Sequence, residues 1–327
     1  METLEESELC FPQLLNTSCK KPTRPHSEAM VILLSSISLL TVALNLLVII
    51  SISHYRQLHT PTNLFLLSLA VSDFLVGLLM PTEILFIEAC WFLGDFMCAL
   101  HYLVFFIITS ASVGNMVLIS VDRYVAICDP LCYPTKITQG RVKICVCLCW
   151  VCSVFCSCVI LNDNLREPGR YNSCVGECVV VINYIAGAVD LVFNFIVPIT
   201  VIIVLYMGVF VVAVSQARAM RSHIVAVTLQ PSVTVTAKKS EMKAARTLGI
   251  VIAVFLMCFC PYYCLFLAGE DTSITTPSAA FVISLYYCNS CLNPVIYAFF
   301  YPWFRKSIKL IVTLQILQPD SCEANIL

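Results

Sequence analysis

The chain has 327 residues, 59% of them hydrophobic and 12% charged, with a formal net charge of −1 and a mean hydropathy of +0.89. A soluble domain carries about a quarter charged residues, so this composition excludes the soluble globular class, and the near-neutral charge leaves no basic field for nucleic acid. Ten glycines and 15 prolines exclude collagen-like and low-complexity chains, and most of the 20 cysteines lie in apolar runs, where a thiol acts as a small hydrophobe.

The first stretch, 1–27, is polar and opens with Glu2, Glu5, Glu6 and Glu8. It has no basic region followed by a short apolar core, so the first apolar run is expected to target the membrane. Seven apolar runs follow, over Glu28–Ile52, Thr62–Ile87, Asp95–Ile127, Val142–Leu161, Val179–Val212, Lys243–Leu267 and Ser278–Phe300. Each reaches the roughly 20 residues a spanning helix needs. Lipid offers no partner to backbone N–H and C=O groups, so each must be helical. The fold class is an all-α membrane protein, a seven-transmembrane helix bundle over 28–300. A short amphipathic helix over Tyr301–Val312 should lie in the interface, followed by a tail, 313–327. Cys322 in that tail reads as a free thiol, with palmitoylation as the alternative. The polar stretch Arg218–Ser240 is expected to have little fixed structure.

Basic residues set the orientation. With the N-terminus outside, Lys20, Lys21, Arg24, Arg166 and Arg170 fall on the outer side. The larger set falls inside: Arg56, Arg123, Lys136, Arg141, Lys143, Arg218, Arg221, Lys238, Lys239, Lys243, Arg246, Arg305, Lys306 and Lys309. Asn16-Thr17-Ser18 is then an outer glycosylation acceptor. The expected location is the plasma membrane, multi-pass, with membrane lipid as a partner.

Ionisable groups within spans are costly and point to function. Asp73 falls near the middle of the second span, Asp122 and Arg123 near the inner end of the third, and Asp190 at about half depth in the fifth. Glu83, in the outer part of the second, suits a second anchor or a carboxylate reaching outer water, the latter being favoured. Cys145, Cys149, Cys152 and Cys156 share one helix face, which suits close helix packing. No metal set forms: His26, His54, His59, His101 and His223 are scattered. No catalytic motif occurs, and no inverted repeat suggests a transporter.

Asp122-Arg123-Tyr124 followed by Pro130-Leu131, and Asn293-Pro294-Val295-Ile296-Tyr297 in the last span, resemble the rhodopsin-like G-protein-coupled receptors. Asn45, Asp73, Trp150, Pro198 and Pro261 match that family's landmarks in five spans. The run from Asn289 to Phe304, and Cys174-Val175-Gly176-Glu177-Cys178, resemble the trace amine-associated receptors, which are mostly olfactory.

This resemblance implies a small amine ligand and a heterotrimeric G protein, of the stimulatory, cyclic-AMP-raising type. Aminergic relatives usually hold the ammonium on an Asp 18 residues before the arginine of Asp-Arg-Tyr; that position is Phe105 here. Asp190, two turns outward of Pro198, lies at a similar depth, as in a fish-type group with the acid on helix five. Phe105, Phe106, Thr109, Tyr262, Tyr263, Phe266 and Tyr287 would frame it, with Glu83 at the border. Asp122, Arg123, Tyr124, Phe255, Phe259, Pro261, Asn293, Pro294 and Tyr297 would form the switch and coupling set, with Glu241 as a further partner of Arg123. Asp73 with Asn45, Asn115, Asn289 and Ser290 resembles an internal polar network that often holds a sodium ion; no other cofactor is implied. Cys98 should pair with Cys178, and Cys174 with Cys19, with Cys10 as the rival partner. The alternative is a receptor of the same fold that has lost amine recognition and binds a neutral or lipid-like ligand.

Overall fold

The computed structural model describes residues 9–14, 16–21, 27–88, 90–226, 233–268 and 277–326, with side chains described except at 27, 83–88, 216–226, 233–248, 266 and 277–280. Seven long helices form the bundle among the described residues. They are α1 (Ser27–His54), α2 (Pro61–Glu88), α3 (Asp95–Cys128), α4 (Gln139–Ile160), α5, α6 (Val233–Leu267) and α7 (Pro277–Phe300). Helix α5 is continuous through Tyr184–Asp190, a single wide π turn at Leu191–Ile196, and Val197–Ala226. Among the described residues, α1 to α5 are long and apolar enough to cross a membrane, and α6 supplies the shorter apolar segment Gly249–Leu265.

The bundle buries polar groups and turns apolar ones outward. Asn45, Asp73, Asn115 and Asp122 are buried, while Ile144, Leu148, Val151 and Phe155 of α4 are exposed. Lipid is as apolar as a leucine side chain, so that exposure costs nothing in a membrane. Helix α3 is central and packs on α2, α4, α5 and α6. It approaches α4 closely where Cys149 faces Gly114, and the Cys149 thiol donates to the Ala111 carbonyl at 3.8 Å.

Three boundaries differ from the sequence expectation, the two ends of α5 and the start of α6. Helix α5 begins at Tyr184 rather than Val179, because the Asn183 side chain accepts from the Ala186 N–H at 2.8 Å and caps it. Residues 179–181 instead hydrogen-bond to side chains: Val179 N–H to Asn172, and the Val181 backbone in both directions to Asn164. The expected loose stretch Arg218–Ser240 is largely helical, since α5 runs to Ala226 and α6 starts at Val233. Extending a helix already nucleated in the bundle fixes only one residue per new bond, and Ala, Arg, Lys, Met and Glu favour it.

Helix α8 (Pro302–Val312) follows α7. It buries Trp303, Phe304 and Ser307 and exposes Arg305, Lys306 and Lys309. The tail then folds back. Ser321 bonds to His54 at 2.9 Å, and Ile326 is fully buried in the cluster that holds Tyr55 and Leu58.

Candidate functional site

Asp190 is the last residue before the wide turn of α5 and is half-buried. The Asn194 amide donates to its Oδ1 at 2.8 Å, and the Tyr263 hydroxyl of α6 donates to the same carboxylate. Tyr263 is itself held by Phe195, stacked at 4.3 Å between centroids, and by the edge of Tyr262 at 5.3 Å.

A continuous aromatic wall leads away from the acid. Tyr286 of α7 lies 5.3 Å from Tyr262, 4.6 Å from Phe259 and 6.4 Å from Phe105. Phe105 also meets Tyr287 at 5.9 Å and Phe106 at 6.3 Å. Thr109 sits beside Tyr286. Phe106 points to a separate cluster with Ile160, Leu161, Ala186, Ile182 and Val189. Below the wall, Phe259 stacks on Phe255 at 4.5 Å, and both are buried. The structure therefore joins Asp190, Tyr262, Tyr263, Phe105, Thr109 and Tyr287 in one region. The side chains of Phe266, Glu83 and Glu241 lie outside the described residues. Sequence reasoning passed over Tyr286, the ring at the centre of the wall, and Phe195.

One network lies deeper. Asp73 is fully buried and accepts from Ser112 at 3.2 Å, Ser290 at 3.0 Å and Asn293 at 2.8 Å. Asn45 does not reach it; its amide donates to the carbonyls of Thr41 and Ser290, both at 2.9 Å. Among the described residues, the side-chain oxygens of Asn45, Asn289 and Asn293 have no partner, nor does either polar atom of the Asn115 carboxamide. Ser112 was not foreseen, because a hydroxyl in an apolar run carries no signal of its own.

The other end of the bundle holds Asp122 and Arg123. Asp122 is buried and accepts from Thr62 at 3.0 Å, Tyr133 at 2.9 Å and Arg123 Nε at 2.9 Å. The Arg123 guanidinium also reaches Thr62. Tyr124 packs over Gly208, and Tyr206 over Gly249, where neither glycine leaves room for a Cβ. Tyr297 is buried with its ring 5.8 Å from Tyr301, and Pro261 and Pro294 lie within α6 and α7. Outside the spans, Lys136 hydrogen-bonds Asp129 at 2.8 Å and holds that carboxyl below the usual range.

At the end nearer Asp190, the disulfides are Cys19–Cys174, Cys98–Cys178 and Cys10–Cys90. Cys10 is therefore not the partner of Cys174. Asn16 is exposed on the segment between Cys10 and Cys19.

The sequence model of the 7 transmembrane receptor (rhodopsin family) matches residues 44–297. The chain is 38% identical over 338 residues to trace amine-associated receptor 13c of Danio rerio, covering 98% of this chain and 97% of that one. It is 37% identical over 330 residues to trace amine-associated receptor 8a of Rattus norvegicus, covering 96% and 95%. To trace amine-associated receptor 4 of Mus musculus it is 34% identical over 333 residues, covering 98% and 96%.

Proposed function

Because the chain belongs to the rhodopsin family of seven-transmembrane receptors, and within it to the trace amine-associated receptors, we propose that it binds an extracellular amine whose ammonium pairs with Asp190. It is a multi-pass membrane receptor and not an enzyme. The observation that carries the amine site is an interior carboxylate held by Asn194 and Tyr263 beside a wall of rings.

A carboxylate offers about four lone-pair sites. Asn194 and Tyr263 occupy two and orient the group, leaving two for N–H donors. The faces of Tyr262, Tyr286 and Phe105 suit the rest of a cation. An acid within a span is costly unless paired, so the site favours a ligand of opposite charge. Phe105 stands where aminergic relatives carry their acid, so the anchor has moved from α3 to α5.

The end bearing the disulfides faces outside, in an oxidising space. There Asn16 is the glycosylation acceptor. The Arg123 end faces inward and engages a heterotrimeric G protein of the stimulatory type, raising cyclic AMP. The ligand shifts an existing equilibrium by binding one state more tightly. The rings from Tyr262 and Tyr286 through Phe259 to Phe255 form a packed path from the amine site towards the core. Phe259 has no N–H to donate, so this path acts by packing alone.

The oxygens around Asp73 fit a sodium ion. The carboxylate, the hydroxyls of Ser112 and Ser290, and the unpartnered Asn293 oxygen supply the hard donors such a cation takes. When bound, sodium would supply local charge neutralisation.

The test is a cyclic AMP reporter in cells expressing the full chain, challenged with volatile mono- and diamines. Asp190→Ala should be silent at normal surface expression. A response equal to wild type would remove the anchor. A wild type that ignores amines but answers a neutral odorant would favour the alternative ligand class.

A further inference from the structure

Residues 9–14 and 16–20 lie on a loop held at both ends. Leu9 and Lys20 make an antiparallel bridge, Cys10 N–H donates to the Cys19 carbonyl at 2.8 Å, and Phe11 N–H donates to Ser18 Oγ at 2.7 Å. The loop lies along the α4–α5 connection. Cys19 N–H donates to Val175 O at 2.9 Å and Val175 N–H to Thr17 O at 2.7 Å. Cys19–Cys174 adds a covalent tie to the same connection.

The Cys10–Cys90 bond joins this loop to the segment that follows α2. Next to it, Trp91 N–H donates to the Gly176 carbonyl at 2.9 Å. Gly176 has φ +104°, and a Cβ there would lie 3.1 Å from both Cys10 and the Phe11 ring. Only glycine combines that backbone angle with so close an approach.

Beyond Cys178, the same connection reaches the ligand region. Val180 and Ile182 join Tyr102 and Phe106 of α3 and Val189, the neighbour of Asp190, in packing against the buried side chains of Ile160, Leu161 and Ala186. Its backbone is fixed at Val179 and Val181 by Asn172 and Asn164.

We propose that Cys10–Cys90 is a positioning disulfide for the ligand site. It braces the α4–α5 connection against α2 through the N-terminal loop, and so holds Val180 and Ile182 as a rigid roof beside Asp190. Resting on the amine site proposed above, the roof sets how bulky an amine the site accepts. Without this bond, the N-terminal loop keeps its covalent hold on the connection at Cys19–Cys174 but loses α2. The roof then has Cys98–Cys178 as its one direct covalent tie to the helices, beside the weaker hydrogen bonds of Trp91 to Gly176 and of Asn172 to Asp95.

The test compares full-length wild type with Cys10→Ser/Cys90→Ser, purified without ligand. Hydrogen exchange at 174–182 should rise about tenfold, since exchange reports local opening. In cells, the potency ratio of phenethylamine to propylamine should move about tenfold towards the bulkier amine, the scale on which pocket walls discriminate. Gly176→Ala displaces the loop with every cysteine intact and should act in the same direction, which guards against misfolding of the double variant. Exchange that rises only at 9–20 overturns the brace. Exchange that rises at 174–182 with an unchanged potency ratio overturns its role in selectivity. If the wild type answers neither amine, the amine reading fails and the exchange result alone decides the brace.

Discussion

Asp190 and Asn194 are joined side chain to side chain, the amide donating to Oδ1 at 2.8 Å one turn along α5. Asn194 is buried and fixes where the carboxylate points. A hydrogen bond to a charged group contributes about 1.5–3 kcal/mol. Asn194→Leu should therefore raise the half-maximal amine concentration roughly ten- to hundredfold, which a dose–response curve at matched surface expression measures. An unchanged curve would mean that Asn194 does not orient the anchor.

Phe105 faces Tyr286 and Tyr287 across the wall from the acid. Phe105→Asp would place a second carboxylate at the α3 position while Asp190 remains. Diamines could then pair at both ends, and one added charge pair in a partly desolvated site is worth about 1.5 kcal/mol or more. Potency for a diamine should gain about tenfold over a monoamine of equal chain length. A change that favours both equally would place Phe105 outside the ligand's reach.

The helices were legible because lipid forces long apolar runs whose backbone bonds are internal. Asp73 and Asp190 were legible because an acid in such a run is rare. The wall was less so. Tyr286 and Tyr287 are chain neighbours on a helix, about 100° apart, and nothing in their order says which ring is central. Phe195 is five residues from Asp190, a spacing that an ordinary α-helix turns away. The wide turn at Leu191–Ile196 brings it beside Tyr263, and no residue pattern announced that turn. Cys90 sat among many thiols, and pairing cannot be deduced from cysteine positions alone. Thr62 and Tyr133 became visible as partners of Asp122 only once the fold brought three segments together.

Asp122 holds Arg123 and is held in turn by Thr62 and Tyr133. If this arrangement stabilises the resting state, weakening it should raise signalling without ligand. Tyr133→Phe removes one neutral hydrogen bond, worth about 1 kcal/mol, and should raise basal cyclic AMP by at most about fivefold. Asp122→Asn removes the ionic partner of Arg123 and should act more strongly in the same direction. Both are read from basal reporter output against surface expression, and two silent variants would show that another contact keeps the receptor at rest.

Asp73 ties three helices through one carboxylate, with Ser112 on α3 and Ser290 and Asn293 on α7. Unpartnered oxygens of Asn45, Asn289 and Asn293 lie buried in the bundle, and a buried polar atom without a partner costs about 1–3 kcal/mol. A sodium ion or ordered water would relieve that cost in the arrangement seen here. An ion that favours this arrangement must, by linkage, oppose an agonist that favours another. Replacing sodium with N-methylglucamine should therefore raise agonist affinity about fivefold, at the lower end of typical coupling. Asp73→Asn keeps the shape of the side chain but removes its charge, so its agonist affinity should no longer depend on sodium. Retained sodium dependence in that variant would place the ion elsewhere, and no dependence in the wild type would leave the network as a set of hydrogen bonds that ties α2 to α3 and α7.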